Sequence, residues 1–399
     1  MHNGWEDPGV SDQMRIAFIN LSIEPYPPTD AQAISTCIQQ TAQALRPLGH
    51  DVIILSRASG QPIYGSDVRT IPNATGSRSR LLQKARHLES RFRGLDWPGQ
   101  ADFLRNVRKA LSRELSPPDA FIVANDFHVP KLLKRHYPGR PVLLWLHNEQ
   151  RTNHRHPEEA FRTVDKIVAV SGSIRNWALR NFPITEDQVA VVHNGVNLDE
   201  FRPRQNFTMS AARPRVLFVG RIDEGKGPDI LLSAVDRLAL QGVYVTVTLV
   251  GGRQRFQGNA SGADAYVQDV LRALDSLGGT SLGPVPRSDL PAVMREHDIV
   301  CIPSRANEAF SLVALEAMAS GCAVVASDRG GLPEACGGAA LHFDPATEDA
   351  AEIALGSVLR EPKLLRFYKE QAVQRARDKS WSATADAFAE LLLSQQTIG

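Results

Sequence analysis

The sequence predicts an α/β protein made of two Rossmann-like, doubly wound domains in tandem. Three observations carry this reading. The chain has 399 residues, and at roughly 100 to 200 residues per domain that length favours two domains with full cores. Short continuous apolar runs alternate with helical patterns, as parallel strands buried on both faces require. The alternation stops at a polar, proline-bounded stretch and then starts again.

Residues 1–13 read as a polar, acidic leader without signal-peptide character. The first strand is 15–20 (RIAFIN), followed by a proline-rich turn, a helical pattern over 33–45, Gly49 and the strand 51–55 (DVIIL), which together make a βαβ unit. The same grammar returns in 120–124 (AFIVA), 141–146 (PVLLWL) and 166–170 (KIVAV), giving a first domain over 14–201. Residues 202–214 (RPRQNFTMSAARP) have no sustained periodicity and read as a linker. The second domain, 215–378, carries strands at 215–219 (RVLFV), 244–250 (YVTVTLV), 298–302 (DIVCI) and 323–326 (AVVA), with helical patterns at 228–240 and 312–320. Residues 379–399 form a terminal segment.

Lysine plus arginine number 45 against 44 aspartate plus glutamate, so no net field draws the chain to nucleic acid, and no nucleic-acid partner is expected. Cys37, Cys301, Cys322 and Cys336 form no CxxC pair and sit mostly in apolar surroundings, as reduced core thiols do. No run approaches the roughly 18 to 20 apolar residues of a membrane span. A soluble, cytoplasmic protein is expected, with peripheral contact at the inner membrane left open by one basic segment. That segment, 77–113, holds Arg78, Arg80, Lys84, Arg86, Arg91, Arg93, Arg105, Arg108 and Lys109 with few acids between them. It reads either as a surface for an anionic acceptor or membrane or as a solvated helical face, and no site is assigned to it.

The chemistry concentrates in the second half. Strand 215–219 runs into Gly220, Arg221, Gly225, Lys226, Gly227 and Pro228, where a helix begins with proline in its first turn. Arg221 and Lys226 therefore stand at the carboxyl edge of a parallel sheet, where open α/β sheets bind ligands, and two cations on one loop suit a diphosphate. Strand 298–302 is followed by Pro303, Ser304 and Glu308, then by a helix from about Leu312 that carries Glu316 and ends at Gly321. The N–H groups of Ser311, Leu312 and Val313 are then free to meet an anion at a helix N-terminus. Carboxylates beside an anion site repel phosphate, so Glu308 and Glu316 are suited to hydroxyls, Glu308 on a sugar and Glu316 on a ribose. Taken singly, these residues have plainer readings: loop cations paired with Asp223 and Glu224, a surface helix acid, and a capping acid. Together the two loops favour a nucleotide sugar. No aspartate pair or histidine cluster with metal spacing accompanies them, so no metal is expected, and leaving-group charge falls to Arg221, Lys226 and the helix N-terminus.

The segments GRIDEGKGPDILLSAVDRL (220–238) and EAFSLVALEAMASGCAVVASDRGGLPEA (308–335) resemble glycosyltransferase family 4. The resemblance extends over HNGVNLDEF (193–201) and LGPVPRSDLPAVMREHDIVCIPS (282–304). It implies the GT-B fold, two Rossmann-like domains facing a central cleft, with the closing segment from about Trp381 crossing back to the first domain. It implies that Arg221 and Lys226 hold the donor diphosphate, that Glu308 and Glu316 bind sugar and ribose, and that the base sits near the Val285 backbone. It also implies a facing histidine, His147, at the end of PVLLWL; on spacing alone a strand-end histidine is more often structural. His193 is read as structural. The implied activity is retaining, metal-independent transfer of a hexose-type sugar from a UDP- or GDP-sugar, with no cofactor, to a hydroxyl acceptor. The chain departs from the family in PYPPTDAQAIS (25–35), which lacks the usual glycine pair; Asp30 there is an acceptor-side candidate. The connection GGRQRFQGNASGADAYV (251–267) is unusually long and polar, and reads as a mobile insertion. A sugar-nucleotide epimerase and a non-catalytic nucleotide-sugar binding protein are the alternatives. A dehydrogenase is disfavoured because no GxGxxG opens a helix after any strand.

Overall fold

The computed structural model describes residues 13–20, 25–26, 33–58, 67–71, 80–92, 95, 99–149, 157–204, 213–252 and 260–396. Asp30, most of the leader, the middle of the linker and residues 253–259 of the long connection lie outside the described residues. The first domain holds strands β1 (Arg15–Ile19), β2 (Pro25–Tyr26), β3 (Asp51–Ala58), β4 (Val68–Ile71), β5 (Ala120–Ala124), β6 (Val142–Leu146), β7 (Lys166–Ala169) and β8 (Val189–Val191). They form one parallel sheet in the order β2-β3-β1-β5-β6-β7-β8, with β4 also beside β3. The second domain adds β9 (Arg215–Val219), β10 (Thr246–Val250), β11 (Thr280–Gly283), β12 (Ile299–Ile302), β13 (Ala323–Ser327) and β14 (Ala340–Phe343), in the parallel order β11-β10-β9-β12-β13-β14.

The apolar runs become strands because both of their faces find cover. Val216 and Phe218 join one hydrophobic cluster while Leu217 joins another, and Ile299 and Cys301 part from Val300 and Ile302 in the same way. This is the two-residue period of a strand carried through a doubly covered sheet. One of the two clusters is continuous with the core of the first domain. The last helix, Trp381–Gln396, packs on Ala33–Leu45 and sets Phe388 edge-on to Trp145, with 4.9 Å between ring centres. The apolar run 244–250 yields a strand only from Thr246, because Tyr244 stays at the surface with the Arg213 guanidinium 5.6 Å from its ring centre. All four cysteines are buried and unbridged, and burial pushes the thiols of Cys301, Cys322 and Cys336 up to about 12. Among the described residues no helix is long and apolar enough to cross a membrane.

Strand order reverses between β1 and β5 and again between β9 and β12. The crevices outside the carboxyl ends of such strands are where α/β sheets bind ligands. The loop 303–311 of the second domain faces Asn148 and Glu149 of the first there, and the loop 220–227 lies beside it within the second domain.

Asp298, just ahead of β12, ties two strand starts together by accepting a hydrogen bond from the N–H of Arg215 at 3.0 Å. Its other oxygen takes the Lys369 ammonium at 2.9 Å, and both side chains are buried. Removing one partner of a buried pair leaves an uncompensated charge. Lys369→Met is therefore expected to cost about 3–5 kcal/mol, read as a lower urea midpoint for the second domain. A midpoint equal to that of the wild type would show that the pair is not structural.

Candidate active site

The loop after β9 is shaped by Asp223, whose Oδ1 accepts from the N–H of Lys226 at 2.9 Å while its main-chain oxygen accepts from Gly227 at 3.1 Å. The main-chain oxygen of Gly225 accepts from the N–H groups of Arg305 and Ala306 at 2.9 and 3.0 Å, which ties this loop to the one after β12. Gly227 sits in the left-handed region at φ 64°, and a Cβ there would collide with Pro303 O. Only glycine lets the two loops approach this closely.

The approach brings Lys226 and Glu308 together, with Nζ 2.5 Å from Oε1 and the Ser304 hydroxyl donating to the same oxygen at 2.5 Å. Lys226 is thus not paired with the local acids Asp223 or Glu224. Arg221 does pair locally, with Asp223 at 2.6 Å, and it is largely exposed. The main chain of Glu308 is held from behind by Gly330 and Gly331: Glu308 bridges Gly330, and its carbonyl accepts from Gly331 N at 2.6 Å.

Beyond Glu308 the chain enters the helix Leu312–Ala319 through Ser311, a non-glycine residue at φ 91° and ψ 95°. Such a conformation costs about 1–3 kcal/mol and gathers at functional sites. The Ser311 hydroxyl caps the helix by accepting from Ala314 N at 3.4 Å. The N–H groups of Ser311, Leu312 and Val313 precede the first possible intrahelical bond and donate to no described acceptor. The positive end of the helix dipole adds to their pull on an anion.

One turn further, Glu316 is buried, and Arg287 Nη2 lies 2.7 Å from its Oε1. The contact is an ion pair, and this oxygen accepts no hydrogen bond. Arg287, whose guanidinium lies 5.6 Å from the Phe201 ring centre, sits two residues after the half-buried Val285. It joins the expected base loop to the expected ribose carboxylate, a link that sequence reading misses because the partners lie 29 positions apart. The nearest signal was a cation beside Val285.

Across the cleft, Asn125 ends β5 in the left-handed region at φ 49°. Its Oδ1 accepts from the N–H of His147 at 2.9 Å, and its Nδ2 donates to Asn148 Oδ1 at 2.9 Å. The His147 ring packs on Trp145 at 4.1 Å between centres, and its Nε2 is buried without a hydrogen-bond partner. Burial drives its pKa down to about 3, so the imidazole is neutral. A cavity of about 290 Å³ lies between the domains, lined by Asn148, Glu149 and Ile174 on one side and residues 306–309 on the other. Asn307 Nδ2 reaches across it to Glu149 Oε1 at 3.2 Å. The structure brings together Lys226, Glu308 and the 311–313 amides, and places Glu316 with Arg287 on the next turn. The basic segment forms the helices Arg80–Phe92 and Gln100–Leu111, where Arg86 and Arg105 pair with Asp102, and Arg105 also with Glu89.

Comparison with known proteins matches residues 34–200 to Glycosyltransferase Family 4 and residues 213–361 to Glycosyl transferases group 1. The chain belongs to glycosyltransferase family 4. This family member is 28% identical over 421 residues to a D-inositol 3-phosphate glycosyltransferase of Corynebacterium glutamicum, covering 95% of this chain and 96% of the relative. It is 38% identical over 212 residues to the protein of that name from Mycobacteroides abscessus, a match covering 50% of this chain and 45% of the relative. Sucrose-phosphate synthase from Thermosynechococcus elongatus superposes with a TM-score of 0.76 at 19% identity, covering 96% of this chain and all of that one. HepE of Anabaena, solved with UDP and glucose, superposes with a TM-score of 0.70 at 18% identity, covering 96% of this chain and 100% of that one. The fold is GT-B, and the glycosyltransferase is an enzyme of the sugar-transferring class.

The depressed pKa of His147 makes a pH prediction. Between its folded value of about 3 and an unfolded value of about 6.5, the unfolded chain binds more protons. The neutral ring's contribution is therefore complete above the unfolded value and is lost as pH falls towards the folded one. His147→Asn should narrow the gap between urea midpoints measured at pH 7 and at pH 4. Equal gaps in wild type and variant would contradict a buried neutral ring.

Proposed function

We propose that the protein is a retaining, metal-independent glycosyltransferase that moves a hexose-type sugar from a UDP- or GDP-sugar to a hydroxyl acceptor. The observation that carries the reading is the Lys226–Glu308 pair beside the three N–H groups at the start of Leu312–Ala319. A diphosphate there competes with Glu308 for the Lys226 ammonium, gains the helix amides and frees the carboxylate for sugar hydroxyls. Exposed Arg221 can swing from Asp223 to the same phosphates at little cost. Glu316 is suited to the ribose hydroxyls, and the base lies along the Val285 main chain. The UDP held by the Anabaena fold relative favours uridine.

In the proposed step the anomeric bond to the β-phosphate breaks and the acceptor oxygen bonds to the same face of that carbon. The departing phosphate oxygen takes the acceptor proton. Lys226 and the helix N-terminus meet the leaving-group charge, the work a divalent metal does elsewhere. A neutral His147 Nε2 is free to donate to or accept from a sugar hydroxyl, and Glu308 fixes the sugar from the opposite wall. The names of the full-length relatives make a phosphorylated cyclitol the first acceptor to test. Asp30 is kept as an acceptor-side candidate. The reaction is placed in the cytoplasm. Peripheral contact with the inner membrane is supported by Leu88 and Phe92, exposed one turn apart on the basic helix Arg80–Phe92.

A donor screen with EDTA present, following nucleoside diphosphate release, tests this. Release from one donor is expected without added metal, falling about 100-fold or more in Glu308→Ala and Lys226→Ala, and the product should keep the donor's anomeric configuration by NMR. Turnover only after metal is added, or an inverted product, contradicts the mechanism.

A further inference from the structure

We propose that Glu334 is a positioning residue for sugar transfer, fastening the first domain to the back of the loop that carries Glu308 and Ser311. The inference rests on the transferase reading of that loop. Glu334 belongs to the second domain, on the short helix Leu332–Cys336, yet its carboxylate is spent on the first. Oε2 accepts from the N–H of Gly172 at 2.7 Å, at the start of the ten-residue helix Gly172–Asn181. Oε1 lies 2.5 Å from Nε2 of His193, close to the end of the first domain.

The protons of this contact can be assigned. Lys379 Nζ lies 2.7 Å from Nδ1 of His193, and an ammonium has only donors, so Nδ1 accepts. Nε2 therefore carries the ring proton and donates it to Glu334. Burial would raise the Glu334 pKa, but His193 and the amides of Gly172 and Ser173 outweigh it and hold the carboxyl below its ordinary value. The group is thus an anion satisfied by a helix N-terminus and a fixed imidazole tautomer.

The first-domain residues next to these contacts also grip the site loop. The Ser171 hydroxyl donates to the carbonyl of Ala309 at 2.5 Å, and the His193 ring stacks on Phe310 at 5.2 Å and 16°. Ala309 and Phe310 are the two residues between Glu308 and Ser311. On the Glu334 side, Gly330 and Gly331 hold the Glu308 main chain, and Arg375 donates to the carbonyls of Glu334 and Ala335 at 2.6 and 3.0 Å. The seam therefore sets how far the first-domain wall at 147–149 stands from Glu308.

Lys226, Glu316 and the amides of 311–313 all lie in the second domain, so breaking the seam should spare nucleotide binding and harm transfer. The test compares wild type, Glu334→Gln, Glu334→Ala and Ser171→Ala by kinetics with the donor found in the screen, by calorimetric titration with UDP and GDP, and by small-angle scattering. A misplacement near 1 Å costs on the order of 100-fold in rate. For Glu334→Ala we expect kcat to fall by about 10- to 100-fold, a larger share of donor lost to hydrolysis, a larger radius of gyration and a nucleoside diphosphate Kd within about twofold. Glu334→Gln keeps one acceptor oxygen for Gly172 and should recover part of kcat. Ser171→Ala, with the carboxylate intact, should lower kcat in the same direction and also serves if Glu334→Ala does not fold. Unchanged kcat and radius in the Glu334 variants, or an equal loss of UDP or GDP affinity, would overturn the proposal. A wild type that turns over no donor would sink the transferase reading instead, and the scattering comparison would still decide whether Glu334 fastens the domains.

Discussion

The segment from Pro303 to Ser311 can run where it does only because main chain without side chains lies on both sides of it. Gly227 meets it at the Pro303 carbonyl and Gly330 meets it at Glu308, and at each point a Cβ would occupy the space of a backbone atom. Those approaches set Glu308 beside Lys226, and the chain then passes through the unusual Ser311 conformation into the next helix. Three loops separated by many residues thus behave as one rigid edge of the second sheet. The apolar strands behind them supply that rigidity, since both faces of the sheet are packed.

Charge in the site is balanced locally. Lys226 sits with Glu308, Arg221 with Asp223 and Arg287 with Glu316, so each cation on the donor side has a carboxylate within reach. In the proposed function a diphosphate would compete with Glu308 for Lys226 and leave that carboxylate for a sugar hydroxyl, so that binding the donor and releasing Glu308 would be one event. The first domain differs: His147 is neutral, buried against Trp145 and held at its main-chain N–H by Asn125, so its ring brings no charge to that side.

Legibility from the sequence followed the range of the interactions. The strands of both cores were readable because a continuous apolar run needs only its own residues to declare itself, and the helices Ala33–Leu45 and Pro228–Leu240 start and stop at the residues their patterns indicate. The strands Pro25–Tyr26, Val68–Ile71, Val189–Val191, Thr280–Gly283 and Ala340–Phe343 were not, since they are short and lie at the edges of the two sheets. The loop cations and the two glutamates stood out as types in a pattern, whereas their partners did not. Arg287 reaches Glu316 across 29 positions, Glu334 reaches His193 across 141, and Gly330 meets Glu308 through main chain alone. No local periodicity records such contacts. His193, read as structural, turns out to be the ring that joins the first domain to Glu334, Phe310 and Lys379.

A crystal structure of the protein with UDP bound tests this arrangement of loops most directly. The β-phosphate is expected within hydrogen-bonding distance of the N–H groups of residues 311–313 and of Lys226 Nζ, with the Lys226–Glu308 contact opened and the ribose hydroxyls on Glu316. A diphosphate lodged elsewhere, with Lys226 still on Glu308, would contradict it.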